Sequence, residues 1–166
     1  MTPDREWILA AVERYERPLL AYVRRLLPDG DRGRDVVQDA FLQLCKQPQS
    51  ELESRLAPWL FAVCRRRVVD ILRKERRMIA TLKPVAEPPS RGPEPTQAIE
   101  SRDTTRVVLA HLEKLPADQN EAVRLRFHNQ FSYREIAEVM GLSESHVGVL
   151  LHQAMKSLRK TLPHLA

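Results

Sequence analysis

Thirteen residues, Arg65–Arg77, carry seven arginines or lysines against two carboxylates. Arg66, Arg73 and Arg77 recur at helical spacing. Cations in such a row match the repeat of a nucleic-acid phosphate backbone and displace its counterions. Trp59 and Phe61 stand one or two turns before the row. Aromatic rings beside basic charge suit unpaired bases, which stack on them. A core tryptophan under a solvated arginine face has the same pattern, so the residues alone leave both readings open.

A second group has the opposite chemistry. Asp35, Gln38, Asp39 and Gln43 fall on the polar side of one amphipathic helix. Acid and amide groups there suit a basic protein surface, or simply water.

The third is a spacing rather than a charge. In Phe131–Lys160, Ala137 is followed four residues later by Gly141 and six after that by Val147. A small residue allows close approach of two helices, a glycine turns the chain, and a β-branched residue buries the second helix. This is the pattern of a helix-turn-helix, whose second helix enters a DNA major groove. Ser132 and Glu135 have the spacing of a capping box, with Phe131 placed to staple onto Ile136. Ser143 is placed to cap the second helix. An ordinary helical hairpin shares this spacing. The groove-facing candidates are Ser143, Glu144, Ser145, Gly148, Val149 and His152, with His146 and Gln153 beside them. None is permanently cationic, and Gly148 costs a helix about 1 kcal/mol relative to alanine. Lys156, Arg159 and Lys160 are the better phosphate contacts.

No other chemistry stands out. Cys45 and Cys64 have neither CxxC spacing nor nearby histidines and read as small buried apolar residues. The five histidines lack metal-site spacing, so neither a metal nor a cofactor is expected. There is no nucleophile–base constellation and no phosphate loop, which argues against an enzyme.

The elements that must position these groups are helices. Five glycines in 166 residues, few aromatics and abundant Leu, Arg, Glu and Ala point to an all-α chain. Ile8 to Leu26 repeats with helical period, with Pro18 expected to break or kink the run. Further helices are expected around Val36–Leu44, Leu56–Leu72, Asp103–Leu115 and Ala117–Phe127. Five of the twelve prolines lie within Pro84–Pro95, a semi-stiff spacer. The expected architecture is therefore two small helical domains, 1–83 and 104–166, joined by a proline-rich linker over 84–103, the second ending in the helix-turn-helix. The first domain has 17 basic and 12 acidic residues, net +5; the second has 8 and 6, net +2. The half with the helix-turn-helix is thus the less basic one. A pI near 9.6 favours an acidic partner. No apolar run approaches a membrane span, and the N-terminus MTPDREW has no signal core, so a cytoplasmic protein is expected.

Taken in order, DVVQDAFLQL, PWLFAVCRRRVVDILRKERR, LEKLPADQNEAVRLRF and FSYREIAEVMGLSESHVGVLLHQAMKSLRK resemble bacterial RNA polymerase sigma factors of the extracytoplasmic-function group. The resemblance covers nearly the whole chain apart from the linker and the extreme N-terminus. It implies that the Asp35–Leu44 helix docks core RNA polymerase through Asp35, Gln38, Asp39 and Phe41. It implies that the segment Gln49–Arg77 engages and helps melt the −10 promoter element, with Trp59, Arg66, Asp70, Arg73 and Arg77 in that block. The helix-turn-helix would read the −35 element through Ser143, Glu144, Ser145, His146, Gly148, Val149, His152, Gln153 and Lys156. Promoter DNA and core polymerase are the implied partners, with an anti-sigma factor a plausible third. Two departures matter. Arg65-Arg66 stands where the family often has Arg-Asn, and Gly148, Leu150 and Gln153 replace common Lys and Arg positions. Two rivals remain: an operator-binding helix-turn-helix regulator, and a polymerase-associated regulator without sigma activity.

Overall fold

The structure, a computed structural model, describes residues 3–82 and 103–161. The described residues form eight α-helices and one π turn, with no strand among them. The expected linker lies outside the described residues except for Asp103, which opens a helix.

The first half begins with α1 (Arg5–Leu26), whose cap Asp4 accepts from the Glu6 N–H at 3.3 Å. The expected break at Pro18 does not occur: one 22-residue helix runs through it. Proline there removes one backbone hydrogen bond and crowds the preceding turn. Ala11 before it and Leu19, Tyr22 and Val23 after it are all buried, and that apolar contact holds both pieces in one continuous helix. Leu27 is extended, and Asp29 caps α2 (Gly30–Leu44) by accepting from the Asp31 and Arg32 N–H groups. A Cβ on Gly33 would lie 3.4 Å from Val23 Cγ1, so α1 and α2 approach closely here. A short α3 (Gln49–Leu52) leads into α4 (Leu56–Leu82). Helices α1, α2 and α4 pack around Leu19, Val23, Val36, Leu44, Leu60 and Val68.

The second half holds α5 (Asp103–Lys114), α6 (Ala117–Val123), a π turn (Arg124–His128), α7 (Tyr133–Met140) and α8 (Glu144–Thr161). The capping box forms: the Glu135 N–H donates to Ser132 Oγ and the Ser132 N–H to Glu135 Oε1, both at 3.1 Å. Gly141 ends α7 at φ +67°, a left-handed conformation that favours glycine. Val147 is fully buried and Ala137 nearly so, as the helix-turn-helix spacing requires.

The two halves are not separate bodies. Helix α4 packs on α7, and one continuous core crosses the boundary. Phe61 of α4 sits at its centre. Its ring lies 5.0 Å from Tyr22 of α1 and 5.1 Å, edge-on, from Phe131 just before α7.

The two cysteines divide. Cys64 is buried, as expected, and burial pushes its thiol up to about 12. Cys45 is exposed, against expectation, because it follows the last core residue Leu44 at the C-terminal cap of α2. In native protein at pH 8, Ellman's reagent is expected to modify Cys45 promptly and Cys64 only on denaturation. Prompt release of two thiols from native protein would contradict the packing around α4.

Candidate functional site

Three surfaces hold most of the residues singled out in the sequence. On α4, Trp59, Arg66, Asp70, Arg73 and Arg77 step by seven, four, three and four residues, which keeps them on one face of a helix. Trp59 is half-buried against the core at one end, and the other four side chains are exposed. Arg66, Arg73 and Arg77 make no ion pair among the described residues. Two other arginines of the same basic run turn elsewhere. Arg67 Nε lies 3.8 Å from Asp39 of α2, and Arg65 points into the boundary between the halves.

On α2, Asp35 and Gln38 are exposed, and Asp39 is half-exposed beside Arg67. Phe41 is half-buried and packs on the core, off the face that these three share. Leu42 does share that face, seven residues after Asp35, and is 55% exposed. Sequence reasoning passed over it because a lone leucine on the polar side carries no charge or spacing signal. The result is an exposed leucine beside acid and amide groups on one helix face.

On α8, Ser145, Val149, His152 and Lys156 step by four, three and four residues and are all exposed, with Gly148 half-exposed on the same face. The remaining candidates do other things. Ser143 Oγ accepts from the His146 N–H at 3.1 Å and so caps the helix. Gln153 Oε1 accepts from Gln119 Nε2 of α6 at 3.3 Å, away from the stripe. Glu144 and His146 are exposed on its flanks. A Cβ on Gly148 would sit at an ordinary 3.7 Å from Tyr133 Cε2, so packing does not demand glycine there.

Beside this stripe lies a cleft of about 340 Å³, lined by Arg126, Tyr133, Gly148, His152, Lys156 and Arg159 among others. Arg126 stacks over the Tyr133 ring at 5.4 Å, which aims the guanidinium. The π turn helps to form the cleft by burying Leu125 while leaving Phe127 61% exposed. The cleft thus gathers Arg126 and Arg159 beside Lys156 at the edge of the α8 stripe.

The boundary between the halves holds the one buried charge among the described residues, Glu121 of α6, 8% exposed. Its Oε1 accepts from Tyr22 Oη and Arg65 Nε, both at 2.6 Å, and its Oε2 accepts from Arg65 Nη2 at 3.2 Å. Burial, then the Glu121 charge, pushes the Tyr22 hydroxyl well above its ordinary range. Burial alone would lower the Arg65 guanidinium, but the Glu121 hydrogen bonds and charge outweigh it and the group is raised. Neither Glu121 nor Arg65's inward turn was anticipated. Their sequence separation of 56 residues leaves no local signal.

Comparison with known proteins agrees with the two-part layout. Residues 11–78 match the family model for sigma-70 region 2, and residues 105–158 the model for sigma-70 region 4. The ECF RNA polymerase sigma factor EcfG of Rhodopseudomonas palustris is 30% identical over 95% of this chain and 84% of its own length. The ECF RNA polymerase sigma factor SigL of Mycobacterium tuberculosis is 26% identical over 94% and 89%. Among solved structures, the sigma factor RpoE from Bartonella quintana, crystallised with the anti-sigma factor NepR, is similar in fold. It superposes with a TM-score of 0.63 at 22% identity, covering 96% of each chain.

Proposed function

The chain belongs to the extracytoplasmic-function RNA polymerase sigma factors, and from that premise we propose how its surfaces divide the work of initiation. As a sigma factor it binds core RNA polymerase and directs it to promoter DNA. The α2 face of Asp35, Gln38 and Asp39, with Leu42 at its centre and Phe41 on its flank, docks the polymerase. The α4 stripe engages the −10 element: Arg66, Arg73 and Arg77 hold phosphates while Trp59 offers its ring to an unstacked base. Asp70, between Arg66 and Arg73, keeps the stripe from binding duplex indiscriminately. The α8 stripe enters the major groove at −35, with Lys156 and the Arg126–Tyr133 pair holding the adjacent backbone. The polymerase does the chemistry; this chain positions it, inside the cytoplasm. No helix among the described residues is long and apolar enough to cross a membrane. An anti-sigma factor, the partner class crystallised with RpoE, is part of this reading.

The observation that carries the proposal is the α4 stripe, because three exposed arginines with no ion pair among the described residues stand in line with a tryptophan only half-buried against the core. The test is transcription by core polymerase and this chain on a genomic promoter library. Promoter-specific transcripts are the expected result. Intact polymerase binding with none would favour a polymerase-associated regulator, the reading that the weakly basic α8 stripe best supports.

A further inference from the structure

The first turns of α8, from Glu144 to Gln153, contain no lysine, arginine or asparagine. That limits which bases they can read. Guanine is recognised by the paired donors of Arg or by Lys, and adenine by the amide of Asn or Gln. The one amide in this stretch, Gln153, accepts from Gln119 Nε2 of α6 at 3.3 Å and lies off the exposed stripe. Glu144, on a flank, suits a cytosine amine, and the Ser145 hydroxyl suits any base. His152 has no two donors side by side, so it cannot make a bidentate pair. Lys156, the first cation on the stripe, stands about two turns beyond Val149. That is past the N-terminal residues that reach base edges in a recognition helix.

What the stripe does offer is apolar. Val149 is 50% exposed between Ser145 and His152, with Gly148 half-exposed beside it. Both are poorer helix formers than alanine. Neither is compensated inside the fold. A Cβ on Gly148 would meet Tyr133 Cε2 at an ordinary 3.7 Å, and half of Val149 faces solvent. Two adjacent residues that weaken a helix on its exposed face, in the turns that enter a groove, point to a contact outside the chain. A helix with no side chain at position 148 comes closer to the base edges. The neighbouring valine then carries its two methyl groups into a groove where thymine alone presents a methyl of its own.

We propose that Val149, with Gly148 clearing its approach, reads the C5-methyl group of a thymine in the −35 element. Methyl contact, not a bidentate hydrogen bond to guanine or adenine, then sets the base preference of this half. The inference rests on the assignment of α8 to the −35 element and adds which base it selects and by which atom. Phosphate contacts from Lys156 and Arg126 hold the helix in place but carry no sequence information.

The test uses the full chain with core polymerase. A promoter recovered from the genomic library is given a randomised −35 segment, and the duplexes that the holoenzyme binds are sequenced. A T·A pair is expected at a fixed position. Each thymine of the selected segment is then replaced in turn by deoxyuridine, which removes one methyl and keeps the base pair. At one position the parent is expected to bind about fourfold more weakly, the effect of one buried methyl. V149A, exposed and a better helix former, is expected to bind thymine and deoxyuridine there equally. Selected segments with no fixed T·A pair, deoxyuridine tolerated at every thymine, or V149A as sensitive as the parent would each overturn the proposal. Promoter-specific transcription that persists with −35 segments of every sequence overturns the methyl reading alone. Absence of any promoter-specific transcript removes the sigma reading, and the thymine contact with it.

Discussion

Arg66→Glu combined with Arg73→Glu is expected to lower promoter opening by about a hundredfold while changing affinity for core polymerase by less than about threefold. Both side chains are exposed on α4 and bear on no other described group, so the substitutions leave the fold intact. They remove two phosphate partners and add two repulsive charges, together about 3 kcal/mol at moderate salt. Loss of two contacts also lowers the salt dependence of promoter binding by about two units of slope. The polymerase-docking face on α2 is a different surface. Permanganate reactivity of the melted strand measures the first effect, and co-purification with core polymerase the second. Equal loss of both would place the stripe against the polymerase rather than DNA.

What could be read from the sequence was local. The Ser132–Glu135 capping box, the left-handed Gly141 and the buried Val147 each depend on residues within a few positions, and each formed as expected. The exposed α4 stripe was visible for the same reason, since helical spacing fixes which residues share a face. A break at Pro18 is averted because its local penalty is outweighed by Leu19, Tyr22 and Val23 packing beneath it. Arg65 illustrates the larger limit. Spacing puts it in a basic run, but its partner Glu121 lies 56 residues away across the linker. Sequence alone divides the chain into two domains, whereas Tyr22, Phe61 and Phe131 join them through a contact that no periodicity reports. Cys45 was hidden by the opposite error, in which residue type was taken for burial.

Phe61→Ala is expected to destabilise the whole chain, not one half, by about 3–5 kcal/mol. The side chain is 1% exposed and is held by aromatic rings from both sides of the boundary. Truncation removes its buried area and leaves a cavity that Tyr22 and Phe131 cannot jointly fill, because Tyr22 is tied to Glu121 by its hydroxyl. For a chain of this length, each kcal/mol shifts the midpoint by roughly 2–4 °C, so Tm falls by about 10 °C. A conservative Phe61→Leu retains most of the volume and is expected to lose under about half as much. The parent should melt in one transition, because its two halves share a core. In Phe61→Ala the halves uncouple, and calorimetry is expected to separate the melting of α1–α4 from that of α5–α8. A midpoint within about 2 °C of the parent, with a single sharp transition, would mean that the rings at the boundary do not bear on folding. The ion pairs that cross between the halves would then have to hold them together without an apolar contact beneath them. Exposed pairs such as Arg25–Glu113 and Arg55–Glu138 contribute at most about 1 kcal/mol each, which is too little for that task.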